Sequence, residues 1–281
     1  MIATVLVIGL TLAQAAEGTW EIPLVPFGGK KAEGRDNRVF AANVALNGGP
    51  ALKLALDTNV GTIVVTESAA ERAGLKLGSA ISMDWAGGEK IRAKWIRGFR
   101  VTAGKFSGQA TYGLAAPDEA VAKLHPLDGV IGLSFLQGYR WSVDPKRDLL
   151  ILSDPDTVSG PPSGDAVPFV ADRGKGIEVR VTIGGKTKDF VAHTGLSDVF
   201  VDSELAKELG LTASGPVLED APVPYMVGPK VTLQIGSVKV PDVQVFIAQK
   251  PGWRHIGQSV WNRFITTWDM PNQKVYLQKG E

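Results

Sequence analysis

Residues 54–77, LALDTNVGTIVVTESAAERAGLKL, can be laid beside residues 190–213, FVAHTGLSDVFVDSELAKELGLTA, without a gap. Asp57 then falls on His193, Thr58 on Thr194, Val65 on Val201, Ala70 on Ala206, and Gly74-Leu75 on Gly210-Leu211. Gly48-Gly49 and Gly184-Gly185 match upstream at the same offset. A second block repeats as well: VIGLSFLQGYRWSVDPKRDLLIL (130–152) aligns on HIGQSVWNRFITTWDMPNQKVYL (255–277). Ile131-Gly132 meets Ile256-Gly257, and Asp144 meets Asp269. Two ungapped blocks recurring in one order restrict the chain to two units of similar build, 38–152 and 167–281. Between them SDPDTVSGPPSGDA (153–166) has the Pro, Gly, Ser and Asp content of a linker.

The units read as strands and turns. Val, Ile and Thr are frequent, and 33 glycines and 17 prolines punctuate the chain. IEVRVTI (177–183) alternates cleanly, whereas VFAANVAL (39–46) is a weaker strand. Each Gly-Gly pair sits where a hairpin turn belongs. Thr66 and Asp202 can each N-cap a short helix that ends at Gly74 or Gly210. The expected class is all-β, each unit a small closed β-barrel with one short helix. Trp141, Trp261 and Trp268 occupy strand-like positions and are expected in the core.

Composition narrows the partners. Thirty basic and 29 acidic side chains leave no charge excess to attract nucleic acid. The apolar stretch Ile2–Leu12 followed by Ala13-Gln14-Ala15 has the form of a signal peptide over 1–15, although a basic n-region is missing. A buried N-terminal strand is the alternative. The expected mature protein is exported, periplasmic or extracellular, a monomer without a membrane span. With no cysteine, it forms no disulfide.

Duplicated units usually pack about a pseudo-two-fold axis, which brings equivalent positions near the axis face to face. Asp57 and His193 are equivalent, so each is the other's candidate partner.

Apolar-apolar-Asp-Thr-Gly, a short helix ending in Gly-Leu, and a later apolar-Ile-Gly segment resemble the aspartic peptidases, pepsin-like and retropepsin-like. The resemblance runs from about Arg38 to the C-terminus. Asp57-Thr58-Asn59 stands where the first Asp-Thr-Gly belongs, and His193-Thr194-Gly195 where the second belongs. Ile131-Gly132 and Ile256-Gly257 resemble the segments that thread beneath the catalytic loops. The resemblance implies two lobes around a cleft for an extended peptide or protein ligand. It also implies two carboxylates that share one proton, because like charges about 3 Å apart resist joint ionisation. Thr58 and Thr194 would tie the two loops together.

The departures decide the chemistry. His193 replaces the second carboxylate, and Asn59 replaces a glycine whose dihedrals an asparagine tolerates better than most residues. A carboxylate facing an imidazole is an ion pair, which pushes Asp57 towards ionised and His193 towards imidazolium. A depressed aspartate is a poorer general base. The expected function is therefore an aspartic-peptidase-like, peptide-binding protein with lost or altered proteolysis. An active endopeptidase using Asp57, His193 and an activated water is the alternative. In a third, structural possibility the cleft is filled by the chain's own loops.

His255 replaces the apolar Val130 of the first block and can lie near His193. No short spacing such as H-x-x-x-H accompanies it, so no metal is expected. His125 reads as loop. Gly87-Gly88 between strand-like runs, with Trp85 near the turn, suits a hairpin flap over the cleft; an ordinary exposed hairpin with a core Trp is the alternative. The counterpart LEDAPVPYMVG (218–228) lacks a comparable turn. No phosphate loop, dinucleotide fingerprint or serine-hydrolase elbow occurs, so no cofactor is expected.

Overall fold

In the computed structural model the described residues are 18–32, 35–85, 88–123, 127–158, 160–172, 176–219 and 223–280. Residues 1–15, read as a signal peptide, and His125 fall outside them. Strands take 58% of the described residues and helices 11%, and a closed six-stranded barrel is present, so the described part of the molecule is mostly β.

Strand pairings recur between the two halves of the chain. Ala51–Leu56 runs antiparallel to Val39–Leu46 and parallel to Gly129–Ile131. Lys186–Ala192 runs antiparallel to Gly176–Ile183 and parallel to His255–Ile256. Ile63–Thr66 lies parallel to Phe106–Ala116, as Val199–Asp202 lies parallel to Val238–Ala248. Equivalent runs therefore find equivalent neighbours, because the same apolar pattern must be buried twice.

One antiparallel layer joins the halves. Its order is Thr19–Gly28, Leu149–Ser153, Arg140–Asp144, Phe264–Asp269, Lys274–Lys279 and Asp165–Asp172. At the seam Trp141 opposes Trp268, with the rings stacked at 5.4 Å and both fully buried. Trp261 packs edge-on against Trp268 at 5.3 Å and is buried too. Arg140 crosses the seam to the buried carboxylate of Asp269 at 3.0 Å.

Val39–Leu46, the weaker strand by sequence, lacks alternation for a reason. It is hydrogen-bonded to Thr19–Gly28 and Ala51–Leu56 and, at its end, to Lys90–Ala103. Most of its side chains on both faces are buried, and a two-sided strand reads as a near-continuous apolar run. Residues 154–158 and 160–164, in the stretch read as a linker, contain no strand or helix.

The short helices follow their caps. Thr66 Oγ1 accepts from the Ala69 amide at 3.0 Å and starts Glu67–Arg72; Asp202 Oδ1 accepts from the Leu205 amide at 2.7 Å and starts Ser203–Glu208. Asp202 does more than cap. Its other oxygen receives the Arg254 guanidinium at 2.7 Å and the Gly252 amide at 3.0 Å. Burial raises its pKa, but these donors outweigh burial and hold it below the ordinary value of 3.8. Its contribution to stability is thus fully present above that value and lost as pH falls through its lower folded value. Chemical denaturation at decreasing pH is expected to show acid destabilisation that shrinks in Asp202→Asn. An identical pH slope in parent and variant would contradict this.

The hairpins of the two halves differ. Leu77–Asp84 pairs antiparallel with Lys90–Ala103, as the first half requires. The second half, expected to lack a comparable turn, pairs Ser214–Leu218 with Tyr225–Ile235, and residues 220–222 between them lie outside the described residues. The register slips between Ser214 and Leu218 and every residue of that strand is exposed. Pro216 lacks a ladder donor, so only a short irregular edge strand forms there.

Candidate active site

Two loops bring the equivalent positions together. The loop after Ala51–Leu56 carries Asp57, and the loop after Lys186–Ala192 carries His193. Each is braced from below by its Ile-Gly segment. The Asp57 amide donates to Ile131 O at 3.1 Å, and the His193 amide to Ile256 O at 2.9 Å. The returning amides of Leu133 and Gln258 donate to Val60 O and Leu196 O, both at 2.8 Å. Gly132 and Gly257 are the residues around which those chains wrap. A side chain on either would collide with the backbone of the loop above it.

Thr58 and Thr194 join the loops reciprocally. The Thr58 amide donates to Thr194 Oγ1 at 3.1 Å, and the Thr194 amide donates to Thr58 Oγ1 at 3.1 Å. Each hydroxyl then donates across to the other half: Thr194 Oγ1 to Leu56 O at 3.0 Å, and Thr58 Oγ1 to Ala192 O. Both threonines are buried, so a lost partner would leave an unsatisfied polar group costing about 1–3 kcal/mol.

Asp57 and His193 meet directly. His193 Nε2 lies 3.2 Å from Asp57 Oδ2 and 3.1 Å from Oδ1, and Oδ1 also accepts the Asn59 amide at 2.8 Å. On the far side of the ring, His193 Nδ1 is 3.1 Å from His255 Nδ1. Both nitrogens of His193 are therefore engaged. All three residues are buried, at 4%, 8% and 4% exposure for Asp57, His193 and His255.

His255 is held neutral. Burial and then the neighbouring His193 push its pKa well below 6.5; Asp57 pulls the other way without compensating, and Lys250 adds to the depression. The Trp253 ring packs on His255 with centroids 4.1 Å apart, and Lys250 Nζ sits 4.9 Å over Trp253. Asp57, His193 and His255 form a line rather than converging on one point, and among the described residues no cluster of three such groups has the arrangement of a metal site.

Asn59 was read as tolerating a left-handed backbone, but it is not among the residues with positive φ. Gly195 is needed for space instead: a Cβ there would lie 2.6 Å from Asp57 Cγ. Asn59 stands beside Gly176, whose own Cβ would come within 3.2 Å of Asn59 Oδ1.

Near the first hairpin, Trp85 is buried and its indole donates to Ala120 O at 2.8 Å. It packs with Val64, Ile91, Ala93 and Val121 rather than extending from the turn. Gly88 closes the turn by donating to Trp85 O at 3.0 Å, and Gly87 lies outside the described residues.

Sequence reasoning missed Gln258 and the Asn37–Asp198 bridge. Gln258 Nε2 donates to Thr194 O at 2.8 Å from a buried position that is Leu133 in the first block. That change from apolar to polar beside Gly257 was a usable signal. Asn37 Nδ2 reaches both oxygens of Asp198 at 3.1 and 3.2 Å, a contact between distant segments that no spacing announces.

Residues 179–260 match the family model described as aspartyl protease. This stretch is aspartic-peptidase-like. It holds His193, Thr194, Gly195, His255, Ile256 and Gly257, while Asp57 lies outside the matched part of the chain. A search of curated proteins returns no significant match.

Proposed function

We propose that the chain is an exported, two-lobed aspartic-peptidase-like protein that holds an extended peptide between its lobes, with proteolysis lost or altered. The lobes would be 38–152 and 167–281, related by a pseudo-two-fold axis beside Thr58 and Thr194, and the first hairpin would serve as a flap. The repeated pairings, the reciprocal threonines and the aspartyl-protease match support this reading. The observation that carries it is the direct Asp57–His193 contact with His193 Nδ1 already engaged by His255.

A working dyad binds a water between an ionised and a protonated carboxylate. Here an imidazole N–H takes the place of the shared proton. Its second nitrogen is turned to His255 and not to a substrate carbonyl. Both steps of acid hydrolysis, activating water and donating to the carbonyl, are weakened together.

Incubation with a diverse peptide pool from pH 3 to pH 8 tests this. The parent is expected to bind members of the pool without efficient cleavage, and Asp57→Asn to keep the fold. Robust cleavage that vanishes in Asp57→Asn would instead establish the active endopeptidase that uses Asp57 and His193.

A further inference from the structure

His255 stands behind His193 as Asp57 stands in front of it. Two Nδ1 atoms 3.1 Å apart are within hydrogen-bond distance, a contact that one hydrogen between them would satisfy. With none, two lone pairs would face each other in a buried site; with two, a pair of N–H groups would. We propose that His255 is a positioning residue for His193 and its proton-relay partner, the third member of a line running from Asp57 through His193 to His255.

In one state His193 carries hydrogen on Nε2, facing Asp57, and accepts at Nδ1 from His255 Nδ1–H. A proton taken up at His255 Nε2 lets the hydrogen on His255 Nδ1 pass to His193 Nδ1. His193 becomes imidazolium, His255 is neutral again as its other tautomer, and Asp57 stays ionised. The reverse transfer returns the proton. No charge is left on His255, the ring flanked by Trp253.

The charged groups facing His255 are Asp57 beyond His193 and Lys250 beyond Trp253. Arg254, its chain neighbour, is turned away to Asp202 at 2.7 Å. The first half carries Val130 at the equivalent position, next to the unaltered Asp57 triplet start, so imidazole occurs where the partner loop also carries imidazole.

The proposal rests on the reading of Asp57 and His193 as the working pair, but its test does not depend on activity. The chain has three histidines, so ¹⁵N-labelled protein gives few ring signals. A scalar coupling between His193 Nδ1 and His255 Nδ1 through a single shared proton is expected in the parent. In His255→Val that coupling is lost and the His193 Nδ1 signal moves to that of a ring nitrogen without this partner, while Asp57 keeps the hydrogen on Nε2. Two uncoupled Nδ1 atoms in the parent would overturn the proposal, and so would His193 ring signals in a folded His255→Val that superimpose on the parent. The parent measurement decides alone where the variant does not fold. Coupling present in a protein that neither binds nor cleaves peptides would remove the functional reading and leave the relay standing.

Discussion

Exchanging His193 for aspartate together with Asn59→Gly and His255→Val is expected to create acid proteolysis, at least about 100-fold above the parent. The first change restores a second carboxylate opposite Asp57, and two carboxylates at that separation share a proton below about pH 5. The second restores the glycine of the first triplet. The third follows from the structure. His255 Nδ1 lies 3.1 Å from His193 Nδ1 and would sit beside the new carboxylate as a hydrogen-bond donor. That partner would hold the carboxylate ionised and prevent proton sharing. Valine is what the first half carries there. The measurement is cleavage of a quenched peptide pool from pH 3 to pH 8, with Asp57→Asn added to the triple variant as a control. A folded triple variant that cleaves nothing would show that the dyad is not what limits this protein.

Gly132→Ala and Gly257→Ala should each cost about 3 kcal/mol or more, lowering Tm by roughly 6 °C or more for a chain of this size. Both glycines have ordinary φ values, −106° and −97°, so conformation is not the demand. Space is. A Cβ on Gly132 would lie 2.9 Å from Thr62 N and closer still to the carbonyls of Val60 and Thr62. One on Gly257 would lie 2.7 Å from Asp198 N, with Leu196 O and Asp198 O closer. These neighbours are backbone of the loops that position Asp57 and His193, so they cannot swing aside as a flexible side chain would. Gly138→Ala is the control, since its Cβ would meet only Phe135 O at 3.9 Å, and it should stay within about 0.5 kcal/mol. A melt in which all three variants coincide would show that the loops yield.

Much of this site was legible because it is written twice. Matching Asp57 to His193 needed only the offset between two copies, and the offset also located both Ile-Gly braces. What the sequence concealed has physical causes. Val39–Leu46 looked irregular since burial of both its faces erases alternation. Asn59 was judged by dihedral tolerance, whereas spacing around Asp57 falls on Gly195. His255 was noticed as polar in an apolar position, but its contact through Nδ1 depends on ring orientation, which no pattern encodes. Gln258 had the same signal and was passed over. The Asn37–Asp198 contact joins loops with no periodic relation, so only coordinates reveal it.

The layer that joins the halves has a consequence for synthesis. The opening strand Thr19–Gly28 pairs with Leu149–Ser153, so the first half can close once residue 153 has been made. Its strand Arg140–Asp144 then has one neighbour and waits for Phe264–Asp269, more than a hundred residues later. Until the ribosome reaches that stretch, the nascent chain presents an open ladder edge beside Trp141. Such an edge invites pairing with another unfinished copy. The second half closes only when Lys274–Lys279 fits between Phe264–Asp269 and Asp165–Asp172, so loss of the last few strand residues would leave an edge on each of those two strands.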